Sequence, residues 1–339
     1  MTQQATTGPA TTNAAPPTPP IGGSPAFGRR NNFGDVASKY SMIGVLVILV
    51  VVAEVAYPGF LAWGSILNVL TNATPVGLVA IGMTFVLIGG GFDLSVAGTF
   101  AVSGVLFASF ANIMPVGLAF ALVIPIAIAM GVLNGLVITR LHVNAFVATL
   151  GTSSIFTGAA FLINATGAVT VADPGFPYIG TAVWLGIPAM IWILAACFVI
   201  GGIVLAKTVF GRSVYIVGGN ADAARLSGMR VGLIQAATYA LTAVAAAFAG
   251  MLLASQTSVG QANVGVDITL DSIAIVIIGG TSLRGGQGSM WRTLVGLLII
   301  ATIDSLFDSL ALNSSIQSVA KGFIVIVAVA LDAWSQRRK

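Results

Sequence analysis

Residues 94–139 read LSVAGTF-AVSGVLFASF-ANIMPVGLAF-ALVIPIAIAM-GVLNGLVIT, and none of these 46 residues is charged. A helix that spans a membrane needs about 20 apolar residues, so this stretch is long enough for two helices. Asn112 to Pro115 divide it near its middle with residue types that end helices. The stretch therefore predicts two consecutive transmembrane helices.

The whole chain has the composition of a polytopic membrane protein. Of its 339 residues, 57% are hydrophobic and only 7% are charged, and the mean hydropathy is +1.01. An ordinary soluble domain carries about 25% charged residues, so this composition excludes a soluble enzyme, a nucleic-acid binder and a disordered protein. The single cysteine excludes an internal disulfide framework and a thiolate metal cluster.

Breaks at Gly, Pro and Asn divide the apolar stretches into about ten transmembrane helices, some of them short or broken. The fold class predicted is therefore an all-α polytopic membrane protein. The predicted spans are 41–57, 65–89, 94–111, 115–139, 146–164, 188–207, 233–254, 269–282, 291–309 and 315–333.

The positions of the charged residues predict the orientation of these spans. With both termini in the cytoplasm, 13 of the 14 basic residues fall on the cytoplasmic side, and only Lys321 lies within a span. The opposite side carries acidic residues instead, among them Asp173, Asp267 and Asp271. The cytoplasmic basic residues are Arg29, Arg30, Lys39, Arg140, Lys207, Arg212, Arg225, Arg230, Arg284, Arg292, Arg337, Arg338 and Lys339.

The chain divides into a tail and one membrane domain. Residues 1–40 form a segment rich in Pro, Thr and Ala that has little apolar surface to bury, and we expect it to be a disordered cytoplasmic tail. Residues 41–335 form the transmembrane domain, and residues 208–232 form its largest cytoplasmic loop.

Two of the predicted spans are irregular. The span 65–89 contains Pro75 and ends in three glycines, and the span 269–282 is short and ends at Gly279-Gly280. Irregular backbone is tolerated at membrane depth only beside protein or water, so such segments often line a pathway. We therefore predict that Gly279 and Gly280 lie on a pathway, together with Asp93 and Ser95, which follow the first irregular span.

The ends of these two spans are also alike. Residues 85–90 read FVLIGG and residues 275–280 read IVIIGG, which indicates either an internal repeat or a chance likeness of apolar-glycine strings. Within the first span, Asn68 and Asn72 are spaced i,i+4 and share one helix face. They are candidates for a polar pathway, and hydrogen bonding between helices is the alternative role.

Gly131 and Gly135 form a Gly-x-x-x-Gly pair whose predicted role is close helix packing.

Several kinds of chemistry have no counterpart in the sequence. There is no Gly-x-x-x-x-Gly-Lys-Ser/Thr phosphate loop, so ATP hydrolysis by that route is excluded. His142, the single histidine, has no partners for a metal site or a catalytic triad, and we predict no metal site and no catalytic residue. Glu54, Asp93, Asp304 and Asp308 form no chain of acids across the middle of the membrane, which disfavours a proton-coupled carrier.

The loop 208–232 contains a predicted short helix. Asn220 is a good N-cap residue, Asp222 complements the helix N-terminus, and Gly228 is a good C-terminal residue. Leu226 is an apolar residue on this helix, next to Arg225. Because isolated helices this short are unstable in water, we expect it to dock either on the rest of this chain or on a partner.

Several separated motifs resemble one family of transport proteins. They are Gly218-Gly219-Asn220, Ala224-Arg225-Leu226-Ser227-Gly228, Ile278-Gly279-Gly280-Thr281-Ser282-Leu283, Gly91-Phe92-Asp93-Leu94-Ser95-Val96, Asn134-Gly135 and Ala145-Phe146-Val147-Ala148-Thr149-Leu150. Together they resemble the permease subunits of bacterial monosaccharide ABC importers, of the ribose-permease type. The likeness extends from about residue 40 to 335 and does not include the tail.

The resemblance implies an assembly in the bacterial cytoplasmic membrane. A second permease copy or paralogue would pair with this chain, two ATP-binding subunits would bind ATP and Mg²⁺, and a periplasmic or lipoprotein binding protein would deliver a small sugar. No cofactor would be bound by this chain, and its only other contact would be with lipid. The helix around 220–228 would couple to the ATPase through Asn220, Asp222, Arg225, Leu226 and Gly228. Independently of the resemblance, the placement of charge predicts that Asp173, Asp267 and Asp271 face the binding protein, and the alternative is that these acids reflect topology only.

Two other classes of protein fit the composition. An ion-coupled secondary transporter or a channel would need its own ion-coupling or pore residues, and a membrane-embedded enzyme would need clustered catalytic groups. The identity of the solute stays open.

Overall fold

The computed structural model describes residues 32–313, 315–324 and 326, together with residue 2. Of the predicted tail 1–40, residues 1 and 3–31 lie outside the described residues. The first described helix begins at Asn32. The helices are α1 Asn32–Ala56, α2 Trp63–Ile88, α3 Val96–Ala111, α4 Val116–Arg140, α5 Ala145–Ile163, α6 Tyr178–Thr181, α7 Ala189–Lys207, α8 Val209–Gly219, α9 Ala221–Leu226, α10 Val231–Thr257, α11 Val266–Ile278 and α12 Met290–Ser309. Residues 315–324 are also helical.

Six of these helices are long and apolar enough to cross a membrane: α2, α4, α5, α7, α10 and α12. The apolar part of α1, Met42–Ala56, and helix α3 are apolar but shorter. Helix α11 has 13 residues, a length of about 20 Å at 1.5 Å per residue, which is less than the thickness of a hydrocarbon core. The protein is thus an all-α membrane protein in its main architecture.

Four short strands add to this helical body. Strand β1 (Ala168–Thr170) pairs with β4 (Val259–Gln261) in antiparallel register, with Ala168 opposite Gln261, and β2 (Val183–Trp184) pairs with β3 (Ile187–Pro188). These strands were not predicted from the sequence. They are two or three residues long, which is too short for an alternating apolar pattern to be recognised.

Helices α2 and α10 form the centre of the fold. From Ala73 to Ile88, every residue of α2 except Val76 is buried. Small residues let α10 come close to its neighbours: a Cβ atom on Gly131 would lie 2.6 Å from the Cα of Ala240, and one on Gly135 would lie 2.5 Å from the Cα of Ala236. The predicted packing role of this glycine pair is therefore confirmed.

The single predicted span 65–89 corresponds to one helix, and α2 is continuous across Pro75, where the sequence predicted an irregularity. Proline removes one backbone N–H and therefore the bond to the carbonyl of Thr71. The flanking residue Thr74 makes other bonds in the same turn: its hydroxyl donates to the carbonyl of Leu70 at 2.9 Å and lies 3.4 Å from the carbonyl of Met190 in α7. Thr74 therefore links this turn of α2 both to the preceding turn and to α7.

The C-terminal ends of α2 and α11 have the same geometry. After α2, the N–H of Gly90 donates to Leu87 and that of Gly91 to Val86. After α11, Gly280 donates to Ile277 and Thr281 to Val276. Gly90 and Gly280 have φ angles of +76° and +74°, so both ends are Schellman motifs with glycine in the left-handed position. The likeness of the two sequences thus extends to their backbone.

The helical segment 315–324 is joined to α11 and α12 by one ion cluster. The Nζ atom of Lys321 lies 3.0 Å from a carboxylate oxygen of Asp271 in α11 and 3.0 Å from one of Asp304 in α12. The three side chains are between 14% and 30% exposed. Lys321, the one basic residue predicted to lie within a span, is thus the cation that compensates two carboxylates.

Replacing this lysine is expected to destabilise the protein. Lys321→Met leaves two partly buried carboxylates close together with no cation, and we expect a loss of about 1–3 kcal/mol, less than for a fully buried pair. Thermal unfolding in detergent micelles measures the loss, and adding Asp304→Asn should restore part of it. Arg225→Ala is the matched control because its pair with Asp222 is 65% and 86% exposed and worth little. Equal unfolding temperatures for Lys321→Met and Arg225→Ala would contradict this role of the cluster.

Candidate translocation cavity and coupling helix

A cavity of about 420 Å³ lies between the N-terminal half of α2, the C-terminal half of α12 and the turn that precedes α2. Its walls are polar at several points although both helices are mostly apolar. The lining residues are Tyr57, Gly59, Ser65, Asn68, Val69, Asn72, Ala73, Val76, Ala301, Asp304, Ser305, Asp308 and Ser309.

Asn68 and Asn72 line this cavity, one turn apart on the exposed part of α2. On α12, Asp304 and Asp308 have the same i,i+4 spacing and line the cavity as well. Asp304 is paired with Lys321, and Asp308 accepts a hydrogen bond from the amide of Gln317 at 3.0 Å. The cavity therefore presents amides, hydroxyls and two carboxylates, which are groups that exchange hydrogen bonds with a hydroxylated solute.

Asp304 and Asp308 were not among the residues predicted to line a pathway. The signal that would have found them is the one used for the two asparagines, because polar residues four apart share a helix face. What the spacing alone could not give is the partner of Asp304, since Lys321 lies on a different element.

Asp93 and Ser95 lie in a buried hydrogen-bond network instead of on the wall of this cavity. The hydroxyl of Ser95 donates to Oδ1 of Asp93 at 2.6 Å and accepts from the amide of Asn134 in α4 at 2.7 Å. Between these two residues, the backbone N–H of Leu94 donates to the hydroxyl of Thr149 in α5 at 3.0 Å. This network holds the connection between α2 and α3 against α4 and α5.

Gly279 and Gly280 also lie away from the lining of the cavity. They form the cap of α11, and they pack against α12: a Cβ atom on Gly279 would lie 3.0 Å from the carbonyl oxygen of Arg292. In the structure these two glycines therefore end a helix and allow close packing.

Helix α9 forms where the sequence predicts it. The side chain of Asn220 accepts from the N–H of Ala223 at 2.9 Å, and Gly228 takes a left-handed φ of +80° just after the helix. Ala224 is buried in a small cluster with Val217 and Val231, which is how this short helix docks on its own chain. The predicted N-cap is confirmed. Of the two docking alternatives, the structure shows a contact with this chain through Ala224.

The opposite face of α9 is open. Leu226 is 90% exposed, and Asp222 and Arg225 form an exposed pair at 2.8 Å. An exposed leucine on a helix of six residues is an apolar anchor that no residue of the described chain covers. Of the coupling residues predicted from the sequence, Asp222, Arg225 and Leu226 lie on α9, and Asn220 and Gly228 flank it.

Helix α8 precedes α9. It lies in the segment 208–232, which the sequence predicts to be cytoplasmic. Tyr215 of α8 donates its hydroxyl to the carbonyl of Gly288 at 2.8 Å. Partial burial raises the pKa of Tyr215 above its ordinary value of 10, so the phenol keeps its proton at neutral pH and remains a donor. This bond ties α8 to the loop between α11 and α12.

The three acids expected to face a binding protein are in different surroundings. Asp173 is exposed and accepts from the N–H of Gly175 at 2.7 Å. Asp267 is exposed on α11 and lines a second cavity, of about 400 Å³, together with Asp271 and Lys321. Asp271 is committed to its ion pair with Lys321, so its carboxylate is not a free surface charge.

Among the described residues, no three His, Cys, Asp or Glu side chains are grouped in a way that would hold a metal ion. The arrangement as described offers a polar cavity, an exposed helix and packed backbone.

Comparison with known proteins agrees with this geometry. Residues 65–330 match the family described as "Branched-chain amino acid transport system / permease component". The chain is 36% identical to the L-arabinose transport system permease protein AraH of Escherichia coli (strain K12), over 91% of this chain and 94% of the relative. It is 39% identical to the ribose import permease protein RbsC of Bacillus subtilis (strain 168), over 90% of this chain and 95% of the relative.

No solved structure matches the chain. The match of the family covers all six of the long apolar helices apart from the first two residues of α2, and the relatives are aligned over nearly their whole length. The resemblance seen in the separated motifs is confirmed. The chain belongs to the branched-chain amino acid transport system / permease component family, within which its relatives include sugar permeases.

Proposed function

We propose that this chain is the membrane-spanning subunit of an ATP-driven importer that passes a small neutral sugar of the pentose or hexose class. The observation that carries the proposal is the polar cavity between α2 and α12, in a chain of which 57% of residues are hydrophobic. Its volume lies within the range of about 300–1,000 Å³ typical of small-molecule sites. The relatives named above are an arabinose and a ribose permease, and both of these sugars are uncharged pentoses that carry several hydroxyl groups.

The cavity suits brief contacts with a sugar. Asn68 and Asn72 offer donors and acceptors on one wall. On the other wall, Ser305 offers both and the carboxylate of Asp308 offers acceptors. A solute that is to pass on needs weak interactions, because tight binding slows release. We therefore expect the affinity for the sugar to belong to a separate binding protein.

The proposed orientation has ten spans with both termini in the cytoplasm. In it, the cavity opens toward the outside, and α9 lies on the cytoplasmic side. The basic residues of the loops support this orientation through the positive-inside rule. Since the sequence has no phosphate loop, ATP and Mg²⁺ would be bound by two separate ATP-binding subunits, which would meet the exposed face of α9.

The experiment that tests this function is transport in proteoliposomes. The chain is reconstituted with its ATP-binding subunits and binding protein, and uptake of radiolabelled ribose, arabinose and galactose is followed with and without ATP. We expect uptake of at least one sugar that requires ATP and all the components. Uptake by the chain alone, driven by an ion gradient, would identify a secondary transporter instead.

Cysteine labelling tests the cavity. In a Cys197→Ser background, Asn68→Cys and Asn72→Cys should react with a small polar thiol reagent in at least one nucleotide state, because both positions line the cavity. Val86→Cys, on the same helix but fully buried, should stay unreactive. Mass spectrometry of the labelled protein gives the extent of reaction. Protection of both asparagine positions in every state would favour a role in helix packing.

A charge on α9 tests the contact with the ATP-binding subunits. Leu226→Glu places a carboxylate on the exposed apolar anchor, and we expect a strong loss of co-purification with the ATP-binding subunits while membrane insertion is unchanged. Leu185→Glu is the matched control: this leucine is 92% exposed in the turn between β2 and β3, which is on the opposite side in the proposed orientation. If both variants retain the subunits equally, α9 is not their contact.

Charge reversal tests the face that would meet the binding protein. Asp173→Lys combined with Asp267→Lys should slow docking of a binding protein with a basic rim, because complementary charges speed encounter. Asp271 is left unchanged, since replacing it would also remove an ion pair with Lys321. Stopped-flow docking rates at several salt concentrations measure the effect, which should shrink at high salt. Rates equal to wild type at every salt concentration would mean that these acids reflect topology only.

A further inference from the structure

Three segments of backbone meet where α8 ends. They are the C-terminal end of α2, the C-terminal end of α8 and the loop between α11 and α12. The residues at the meeting point are Gly90, Gly218, Gly285 and Gly286, and we call them the glycine junction.

The contacts in the glycine junction leave no room for side chains. A Cβ atom on Gly218 would collide with the carbonyl oxygen of Ile88, and it would lie 2.8 Å from the nitrogen of Gly286. A Cβ atom on Gly285 would lie 2.7 Å from the carbonyl oxygen of Gly218 and 2.8 Å from the Cα of Gly90. The obstructing atoms are backbone, which cannot move aside as the end of a flexible side chain can.

Hydrogen bonds join the same three segments. Gly286 donates its N–H to the carbonyl of Ile88, the last residue of α2, at 2.8 Å. The hydroxyl of Tyr215 ties α8 to the carbonyl of Gly288 in the same loop, also at 2.8 Å. Helix α2 therefore ends against both α8 and the loop.

Helix α9 is attached to this junction almost directly. Asn220 is the only residue between α8 and α9, and it closes one helix and caps the other: its N–H donates to the carbonyl of Ile216, and its side chain accepts from Ala223. Since so little chain separates the two helices, a displacement of α9 must be taken up at the end of α8, where Gly218 lies.

The far end of α2 carries Asn68 and Asn72, which line the polar cavity. Helix α2 is one continuous element of 26 residues, about 39 Å long. We propose that the glycine junction links α9 to α2, so that the position of α9 controls access to the polar cavity, with Gly218 and Tyr215 as the positioning residues. This inference rests on the proposed function, in which α9 meets an ATP-binding subunit.

Two neighbouring glycines of α8 give a matched test. Gly218→Ala adds a methyl group that collides with Ile88, whereas Gly219→Ala adds one that meets nothing within 4 Å. Both variants are assembled with the ATP-binding subunits and binding protein in proteoliposomes, and sugar uptake is measured per ATP hydrolysed. We expect Gly218→Ala to lower this ratio severalfold while the ATP-binding subunits stay bound, and Gly219→Ala to match wild type. Equal ratios in the two variants would overturn the proposal.

A second pair of variants decides the matter if Gly218→Ala fails to fold. Tyr215→Phe removes the bond to Gly288 without adding volume, and Ser213→Ala removes a hydroxyl of α8 whose bond, to Val209, stays within the helix. We expect a lower ratio of uptake to ATP hydrolysis for Tyr215→Phe only, and equal ratios would overturn the proposal. Absence of ATP-driven uptake in the wild-type assembly would instead refute the proposed function, whereas normal wild-type uptake with unaffected variants refutes the junction alone.

Discussion

A helix that ends inside a membrane protein must find donors for its last carbonyl groups within the protein, because lipid offers none. At the end of α2 all four carbonyls are accounted for: the N–H groups of residues 89–91 satisfy Phe85, Val86 and Leu87, and Gly286 satisfies Ile88. The first three bonds are local, but the fourth comes from a loop almost 200 residues further along the chain. The arrangement of α2, α8 and the loop between α11 and α12 depends on meeting this requirement.

The parts of the fold that could be predicted from sequence are those with local causes. Apolar runs fix where helices lie, and residues such as Asn220 and Gly228 mark the ends of α9, because capping involves atoms only a few residues apart. The short strands escaped prediction because β1 pairs with β4 across about 90 residues. The span 65–89 was predicted as one segment, but its regular helical course across Pro75 was not, because the local effect of a proline is to remove a backbone bond.

The candidate site was predicted to the extent that helical spacing describes it. Asn68 and Asn72 share a face and line the cavity, but the facing wall from α12 depends on how two distant helices pack. Asp93 and Ser95 follow a glycine-rich helix end, a pattern that also occurs in segments lining a pathway. Their buried position between α4 and α5 is seen only from the long-range hydrogen bonds of this segment to Asn134 and Thr149. A sequence indicates which residues are polar, whereas long-range packing decides which of them meet solvent.

Pro75 divides α2 into two parts that differ in their surroundings. On its N-terminal side, Asn68 and Asn72 are exposed toward the cavity, and on its C-terminal side the helix is buried as far as its glycine cap. The proline removes one bond of the helix ladder at this boundary, so the helix resists bending least where the cavity begins. The C-terminal end is held by α8 and by Gly286. In the linkage proposed above, α2 is attached at its buried end to α8 and to Gly286, lacks one backbone bond near the cavity and is continuous between these points. A small displacement of the junction would then be passed along α2 and change the width of the cavity.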